Sequence, residues 1–296
     1  MITSYNFEAT SRRLRLYLAS IRGFWRVFSK SRPAVVGLAM LVVLAFLAIF
    51  TEHLVLYNPF GIYPKSVLIP PSQAHPLGTD DLGRDILMLI MFGAKISLAV
   101  GFSSVFISSS IGITIGAISG YYGGRVEDVL MRLTDMLLII PNFFLILIVV
   151  ALFGSNMRNI VLIMGFTTWP GIARLLRAEF LSIRELEFVE AAYIVGASNL
   201  RIVFRHILPN AIYPVIVNAS LQVGSAILTE AGLSFLGLGD PSLVSWGRML
   251  SIAQLYMRRA WWMAAFPGVA IFITVMAFNL VGDGLNDALN PRLRER

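Results

Sequence analysis

The sequence contains no cysteine in its 296 residues. This absence excludes a disulfide scaffold, a cysteine-based zinc site, an iron–sulfur centre and a cysteine nucleophile. The three histidines lie far apart and have no carboxylate at ligand spacing, so we expect no metal site. The phosphate-binding pattern G-x-x-x-x-G-K-[ST] is also missing, which indicates that this chain does not itself cradle ATP.

Charged residues are scarce: they make up 14% of the chain, whereas hydrophobic residues make up 57%. A soluble domain usually carries roughly 25% charged residues, so most of this surface must face lipid or other protein. The formal net charge of +7 could suggest nucleic acid binding. However, the basic residues stand between apolar runs, a distribution that fits membrane topology better than a phosphate-binding face.

Six apolar segments predict transmembrane helices. They cover residues 34–57, 96–118, 136–153, 160–173, 211–231 and 262–281. The fourth is interrupted by Trp169-Pro170-Gly171, a break that is tolerated where neighbouring helices satisfy the freed backbone groups. The first 32 residues are polar and basic, which is not the pattern of a cleavable signal peptide. The sequence thus predicts an all-α integral membrane protein.

An even number of spans places both termini on one side of the membrane. Most of the 24 Lys and Arg residues would then lie on that side, which the positive-inside rule identifies as cytoplasmic. Arg184 and Arg205 would be inside and Lys65 outside. The expected divisions are a cytoplasmic N-terminal segment (1–33), a first transmembrane helix with an extracytoplasmic loop and an interfacial helix (34–94), a five-helix core (95–285) and a cytoplasmic tail (286–296).

The longest predicted cytoplasmic loop, residues 174–209, is expected to contain two short helices. Ser182 and Glu185 have the spacing of a capping box that can start the first helix. Gly196 can supply the left-handed residue that ends it. Ser198 can cap the second helix, which is expected to run until Pro209.

An apolar stripe on the first of these helices suits docking into a groove of another protein. It consists of Phe188, Ala191, Ala192 and Val195, which follow helical spacing. The segment also resembles a DNA-binding helix-turn-helix, but a loop of about thirty residues between two spans cannot bury a core of its own. A connecting amphipathic loop without a partner is a further alternative.

Four polar residues share one face of the fifth predicted span, because they follow one another at intervals of three or four. They are Asn218, Gln222, Ser225 and Thr229. Polar residues inside a span face a cavity or another helix, so the set either lines a substrate path or ties helices together. Gly237-Leu238-Gly239-Asp240 superficially matches an intramembrane aspartyl-protease motif, but no apolar run contains a second aspartate. A turn is expected there instead.

The predicted cytoplasmic loop, residues 174–209, resembles the EAA loop of ABC-importer permeases. The resemblance lies in Glu190-Ala191-Ala192, then Gly196 and His206-Ile207-Leu208-Pro209. Tyr193 stands where the peptide-type branch often has a basic residue. Other motifs resemble the dipeptide/oligopeptide/nickel branch and extend over most of the chain. They include His75-Pro76-Leu77-Gly78-Thr79-Asp80, Gly83-Arg84-Asp85, Gly120-Tyr121-Tyr122-Gly123-Gly124, Glu230-Ala231-Gly232-Leu233-Ser234 and Asn279-Leu280-Val281-Gly282-Asp283.

This resemblance implies the C-type permease subunit of such an importer, with a type I ABC importer permease fold and a cytoplasmic EAA coupling helix. In this family the coupling helix seats in a cleft of the ATPase subunit. The resemblance therefore implies ATPase contacts by Glu187, Glu190, Ala191, Ala192, Gly196, Ser198 and Pro209.

The same resemblance implies a non-catalytic subunit in the plasma membrane that binds no cofactor, with ATP and Mg on two separate ATPase subunits. Its other partners would be a second homologous permease, an external solute-binding protein and the lipid bilayer. A di- or oligopeptide is the first expected substrate, an oligosaccharide the second and nickel the third. A secondary transporter, the alternative from another class, would need intramembrane ionisable groups for ion coupling, and the spans contain very few.

Overall fold

The computed structural model describes residues 22–54 and 61–289 of the chain. Its longer helices are α1 (Arg32–Leu54), α2 (Ile86–Tyr122), α3 (Gly124–Ile139), α4 (Asn142–Phe153), α5 (Met157–Arg184), α6 (Glu187–Ile194), α7 (Tyr213–Leu233), α8 (Trp246–Ala253) and α9 (Trp262–Leu289). Shorter helical segments are 22–28, Pro64–Ser66, Asn199–Arg201, Ile202–Ile207, Leu208–Ala211, Ser234–Leu238 and Gln254–Tyr256. The basic N-terminus before residue 22, the expected end of the first span at residues 55–57 and the tail from residue 290 lie outside the described residues.

Five of the described helices, α1, α2, α5, α7 and α9, are each long and apolar enough to cross a membrane. Helices α3 and α4 satisfy the same test only as a pair, and the chain bends by 82° between them. Counting this pair as one broken span gives the six spans that the sequence predicts.

The third span is bent, and the break falls within the predicted apolar segment, residues 136–153. The break lies at Ile140 and Pro141, between the end of α3 and the start of α4. Proline disfavours the helical conformation of the residue before it, and Ile140 is accordingly extended, with φ −86° and ψ 126°.

The second and fourth spans are longer than their apolar runs. Helix α2 begins at Ile86, so the residues expected to form a separate interfacial helix are its first turns, and the expected boundary between residues 94 and 95 falls inside it. Helix α5 continues through Pro170, and the expected interruption at Trp169-Pro170-Gly171 does not occur. Pro170 is buried, so packing against neighbours stabilises the helix although one backbone hydrogen bond is missing.

Helices α2 and α5 approach so closely that only glycine fits between them. A Cβ atom added at Gly112 would lie 2.7 Å from Cβ of Ile172, and one added at Gly120 would lie 2.5 Å from Cβ of Phe180. Small residues at four-residue spacing allow membrane helices to bring their backbones into contact. We term this tightly packed pair the α2–α5 unit.

One end of the bundle, which we term the loop end, is closed by residues 61–85, α8 and the start of α9. Two buried tryptophans join these parts. The indole Nε1 of Trp262 donates a hydrogen bond to the carbonyl oxygen of Thr79 at 3.1 Å. The indole Nε1 of Trp246 donates to the carbonyl oxygen of Ile90 at 2.9 Å. Both indoles therefore bury their apolar rings while their polar atom is satisfied.

The loop before α2 is ordered by charged side chains. Nε of Arg84 donates to Oδ2 of Asp80 at 2.6 Å, and both groups are largely buried. Asp85 caps α2, since its carboxylate accepts hydrogen bonds from the N–H groups of Leu87 and Met88. Arg84 and Asp85 therefore order this loop through their side-chain hydrogen bonds.

Candidate functional site

The opposite end of the bundle, which we term the α6 end, contains the end of α2, the end of α5, and α6. The predicted capping box is wrong, because α5 continues through Ser182 to Arg184. Helix α6 starts after Leu186, which forms no side-chain cap. Glu187 and Glu190 lie in its first turn, where their negative charge is favourable to the helix dipole.

Gly196 ends α6 as predicted, with a φ of +78°. Its N–H donates to the carbonyl oxygen of Tyr193 at 2.9 Å, and the N–H of Ala197 donates to that of Ala192 at 3.1 Å. These two hydrogen bonds define a Schellman motif, whose left-handed position favours glycine. The turn fixes the direction in which the chain leaves α6.

The chain then returns to the membrane through three short helical segments, residues 199–211, which we term the connector. Ser198 stands at the predicted start, but it caps the segment through its backbone carbonyl and not its side chain. The connector continues past Pro209 to Ala211, so the predicted stop at Pro209 is wrong. Proline is tolerated there because it occupies the first turn of the last segment.

Helix α6 has one buried anchor and an open surface. Val189 is fully buried and packs in the same cluster as Ile183 and Ile202. In contrast, Ile194 is 86% exposed and Val195 is 87% exposed. The predicted apolar stripe therefore faces outward for most of its length: Phe188, Ala191 and Val195 are exposed and Ala192 is half-buried. An exposed apolar patch of this kind is typical of a protein–protein contact.

A cavity of about 370 Å³ lies between the α6 end and the loop end. Four parts of the chain line it: α2, the corner between α3 and α4, α5 and α7. The lining residues are Ser104, Val105, Leu137, Leu138, Ile140, Pro141, Asn142, Met164, Thr167, Thr168, Pro170, Gly171, Gln222, Ser225, Ala226 and Thr229. They include hydroxyl and amide groups but no charged side chain.

The predicted polar face of α7 contributes one wall of this cavity. Gln222, Ser225 and Thr229 line it directly, while the side chain of Asn218 accepts a hydrogen bond from Nε2 of Gln222 at 2.8 Å. Gln222 also accepts a long hydrogen bond of 3.4 Å from Oγ of Ser108 in α2. The face therefore both borders open space and touches a neighbouring helix.

The other polar groups of the cavity were not found from the sequence. Thr167 and Thr168 lie in α5, where their hydroxyls donate to carbonyl oxygens one turn earlier. Ser104 is buried, and its Oγ has no hydrogen-bond partner among the described residues. Thr-Thr before Trp-Pro was visible in the sequence, but only the packing of α5 against α2 and α7 shows which cavity these hydroxyls border.

Near its end, helix α7 carries a buried carboxyl group, that of Glu230, which does not line the cavity. Oε1 of Glu230 accepts hydrogen bonds from Oγ of Ser234 at 2.7 Å and from Oγ of Ser245 at 2.8 Å. Ser245 in turn caps α8 by accepting from the N–H of Arg248. Glu230 thus joins the end of α7 to the helix that closes the loop end.

The chain matches two protein families. The first is described as binding-protein-dependent transport system inner membrane component and covers residues 112–295. The second is described as the N-terminal TM domain of oligopeptide transport permease C and covers residues 21–71. Together the two matches include the first span, the end of the second and the other four.

Relatives are similar over nearly the whole chain. The glutathione transport system permease protein GsiD of Pectobacterium atrosepticum is 42% identical over 275 residues, covering 92% of this chain and 91% of that protein. The dipeptide transport system permease protein DppC of Escherichia coli K12 is 42% identical over 285 residues, covering 94% and 95%. The di/tripeptide transport system permease protein DppC of Pseudomonas aeruginosa is 38% identical over 286 residues, covering 94% of each.

The fold is also similar to that of a solved structure. A chain of the inward-facing MetNI methionine ABC transporter matches with a TM-score of 0.56 at 18% identity, covering 69% of this chain and 98% of that chain. This likeness concerns the fold alone. Together with the family match it confirms an all-α, type I ABC importer permease fold.

A bundle of six candidate spans with a polar cavity and an exposed helix at one end is typical of a membrane transport component. The chain belongs to the family of binding-protein-dependent transport system inner membrane components. The resemblance to the C-type permeases of the dipeptide/oligopeptide/nickel branch is confirmed by the second family match and by the relatives. It is thus a multi-pass inner-membrane permease component rather than a DNA-binding protein or a protease.

Proposed function

We propose that this chain forms half of a pathway for di- or oligopeptides, together with a homologous second permease. The cavity between α2, α5 and α7 supports this proposal, because its uncharged hydroxyl and amide groups can exchange hydrogen bonds with peptide groups without holding them tightly. The names of the relatives, which mention dipeptides, di/tripeptides and glutathione, point to the same substrate class.

The competing substrates have less support. Nickel would need histidine or carboxylate ligands, and the cavity lining contains neither. An oligosaccharide could use the same hydroxyl groups, but none of these relatives is named for one. A secondary transporter is not favoured, since the family works with a binding protein.

Uptake by the reconstituted importer tests the substrate class. We expect accumulation of a labelled dipeptide or tripeptide that depends on ATP and on the binding protein. Accumulation of a labelled oligosaccharide or of nickel, without uptake of any peptide, would show that the proposed substrate is wrong while leaving the permease role intact.

We propose further that α6 docks into a cleft on an ATPase subunit. The contact would involve Glu187, Glu190, Ala191, Ala192, Gly196 and Ser198, with Pro209 in the connector behind them. The exposure of the apolar stripe supports this role. This chain would bind no cofactor itself, and ATP and Mg would be held by two ATPase subunits. An external solute-binding protein would deliver the substrate to the loop end.

Bulky substitutions on α6 test this contact. Ala192→Trp enlarges a closely packed docking face, and Gly196→Val places a branched residue in the left-handed region, which costs about 1 kcal/mol or more. Both variants should insert normally but lose copurifying ATPase subunits or hydrolyse ATP without transport. Normal association and coupled transport in both would show that α6 is not the contact.

Both termini would lie in the cytoplasm, with α6 inside and Lys65 outside. The natural absence of cysteine makes single-cysteine labelling simple. Lys65→Cys, at an exposed loop position, should react with an impermeant thiol reagent added from outside, and Arg205→Cys should not. The reverse pattern would overturn the orientation and the ATPase contact together.

A further inference from the structure

We propose that Tyr121 is a positioning residue that joins the coupling helix to both walls of the cavity. This inference rests on the proposed contact between α6 and the ATPase, and it names the residues through which that contact would act on the spans. The joint consists of three side chains, Tyr121, Tyr193 and Asn199, which belong to three different helical elements.

The joint is a short chain of hydrogen bonds. Oη of Tyr193, near the end of α6, donates to Oη of Tyr121 at 2.8 Å. Oη of Tyr121 donates in turn to Oδ1 of Asn199 at 3.0 Å. Tyr121 is 6% exposed, so the shared hydroxyl is largely shielded from water, and hydrogen bonds in such surroundings are stronger than at an open surface.

Tyr121 and its partner Asn199 lead to different parts of the cavity. Tyr121 lies at the end of α2, which belongs to the α2–α5 unit and lines the cavity through Ser104. Asn199 begins the connector, which leads into α7 and its wall at Gln222. A displacement of α6 therefore reaches one wall through Tyr121 and the other wall through Asn199.

The hydrogen bond from Tyr193 gives α6 a contact of fixed direction, which its apolar contacts do not provide. Val189 is buried near the start of α6, and half-buried Ala192 packs against the same cluster, but apolar contacts have no preferred direction. Tyr193 adds a directional attachment one helical turn after Val189. The apolar contacts and the hydrogen bond together fix the orientation of α6 against the bundle. A force on its exposed surface would therefore move the attached helices instead of only rotating α6.

Tyr121, which accepts the hydrogen bond from α6, is also hydrogen-bonded to α5. Nη1 of Arg184, the last residue of α5, donates to the carbonyl oxygen of Tyr121 at 3.0 Å. This carbonyl is one of those that a helix leaves without an internal partner at its C-terminus, where a cation is also favourable. Tyr121 is thereby clamped between α5 and α6.

The experiment compares transport with ATP hydrolysis in the reconstituted importer, with its ATPase subunits and binding protein. Tyr121→Phe and Tyr193→Phe remove only hydroxyl groups. We expect basal hydrolysis to be kept and transport per ATP to fall about fivefold in Tyr193→Phe, which is the change in an equilibrium that one neutral hydrogen bond controls. The fall should be larger in Tyr121→Phe, which breaks both hydrogen bonds of the joint. The double variant should be no worse than Tyr121→Phe, because that substitution already breaks the bond that Tyr193→Phe removes.

Three further variants make the test specific. Asn199→Asp keeps the acceptor for Tyr121 and should retain coupling, whereas Asn199→Leu should lose it. Tyr122→Phe is the matched control, since that neighbouring ring is 58% exposed and its hydroxyl is not part of the joint. A purely structural role would lower yield and melting temperature but leave transport per ATP unchanged.

Unchanged transport per ATP in both tyrosine variants would overturn the joint. If Ala192→Trp still uncouples the importer under the same conditions, only this inference fails and the proposed ATPase contact stands. If Ala192→Trp also has no effect, the contact itself is wrong.

Discussion

Asp85 holds His75 and caps helix α2 with the same carboxylate. Its Oδ2 lies 2.9 Å from Nδ1 of His75, while its Oδ1 accepts from the N–H of Leu87 at 2.9 Å. The loop end is therefore fastened to the longest helix at one buried side chain.

Asp85→Ala should lower the free energy of unfolding by about 1–2 kcal/mol, because it removes a helix cap and the partner of His75. Asp85→Ser separates the two roles, since serine can cap α2 but cannot reach His75. We expect melting temperatures of the purified complex in the order wild type, Asp85→Ser, Asp85→Ala. Equal melting temperatures for the wild type and Asp85→Ala would contradict the fastening role.

Gly120→Ala should destabilise the bundle by about 1–3 kcal/mol, the usual cost of overpacking, because its Cβ would lie 2.5 Å from Cβ of Phe180. Gly268→Ala is the matched control in α9, where no atom lies within 4 Å of the added Cβ. That control should be neutral or stabilising by up to about 1 kcal/mol, since alanine has the higher helix propensity. Thermal unfolding of the two variants in detergent measures the difference.

Ser225→Leu should reduce transport or change the preference between peptides, because Ser225 is exposed and borders the cavity. Gln222→Leu should do the same, but it also removes the hydrogen bonds to Asn218 and Ser108 and should lower thermal stability. Leu228→Met, on an exposed part of α7 away from this cavity, is the control. Normal transport with poor assembly in both polar-face variants would favour a role in tying helices together.

Ionisation of Asp240 should make the free energy of unfolding depend on pH. Partial burial raises its pKa, but hydrogen bonds from Ser242 and from the N–H of Met157, with the charge of Arg248, lower the pKa by more. The folded state therefore favours the charged form, so its contribution is present above pH ~4, the ordinary range of an aspartate, and is lost as the pH falls through the lowered pKa.

Asp240→Asn should accordingly melt at a lower temperature than the wild type at pH 7. The gap between the two proteins should narrow as the pH falls from ~4 through the lowered pKa of Asp240, because the wild type then loses the charge that its folded state favours. A gap that stays constant down to the lowest pH at which both remain folded would contradict this account.

The positions of the spans were predictable from the sequence, because long apolar runs have few alternatives to membrane helices. Their ends were not. Helix α2 begins at Ile86, before the apolar run, and tertiary packing decides this start because Ile86 and Leu89 are buried in the core. Pro170 was expected to interrupt a helix, while Pro141 was not expected to bend one. The difference lies in their surroundings. Pro170 is buried between neighbouring helices, whereas Ile140, the residue before Pro141, is 45% exposed and its backbone is free to adopt the extended conformation.

The candidate sites were likewise predictable from the sequence only where local features decide them. The turn at Gly196 was predictable, because a left-handed helix end is a local property of the chain. The start of α6 was not, because Ser182 satisfies a local capping pattern inside a helix that packing extends to Arg184. One wall of the cavity followed from the spacing of Gln222, Ser225 and Thr229, whereas Ser104 joins them only through contacts between distant parts of the chain.

The close contact within the α2–α5 unit has a consequence for the cavity that the helices border. At Gly116 an added Cβ would lie 2.7 Å from the carbonyl oxygen of Ala173, so the two backbones are in contact and form one wall that includes Ser104 and Thr168. In the proposed pathway, widening would come from α7 or from the corner at Pro141 turning away from this wall. Such a pathway would limit the girth of its cargo rather than its length.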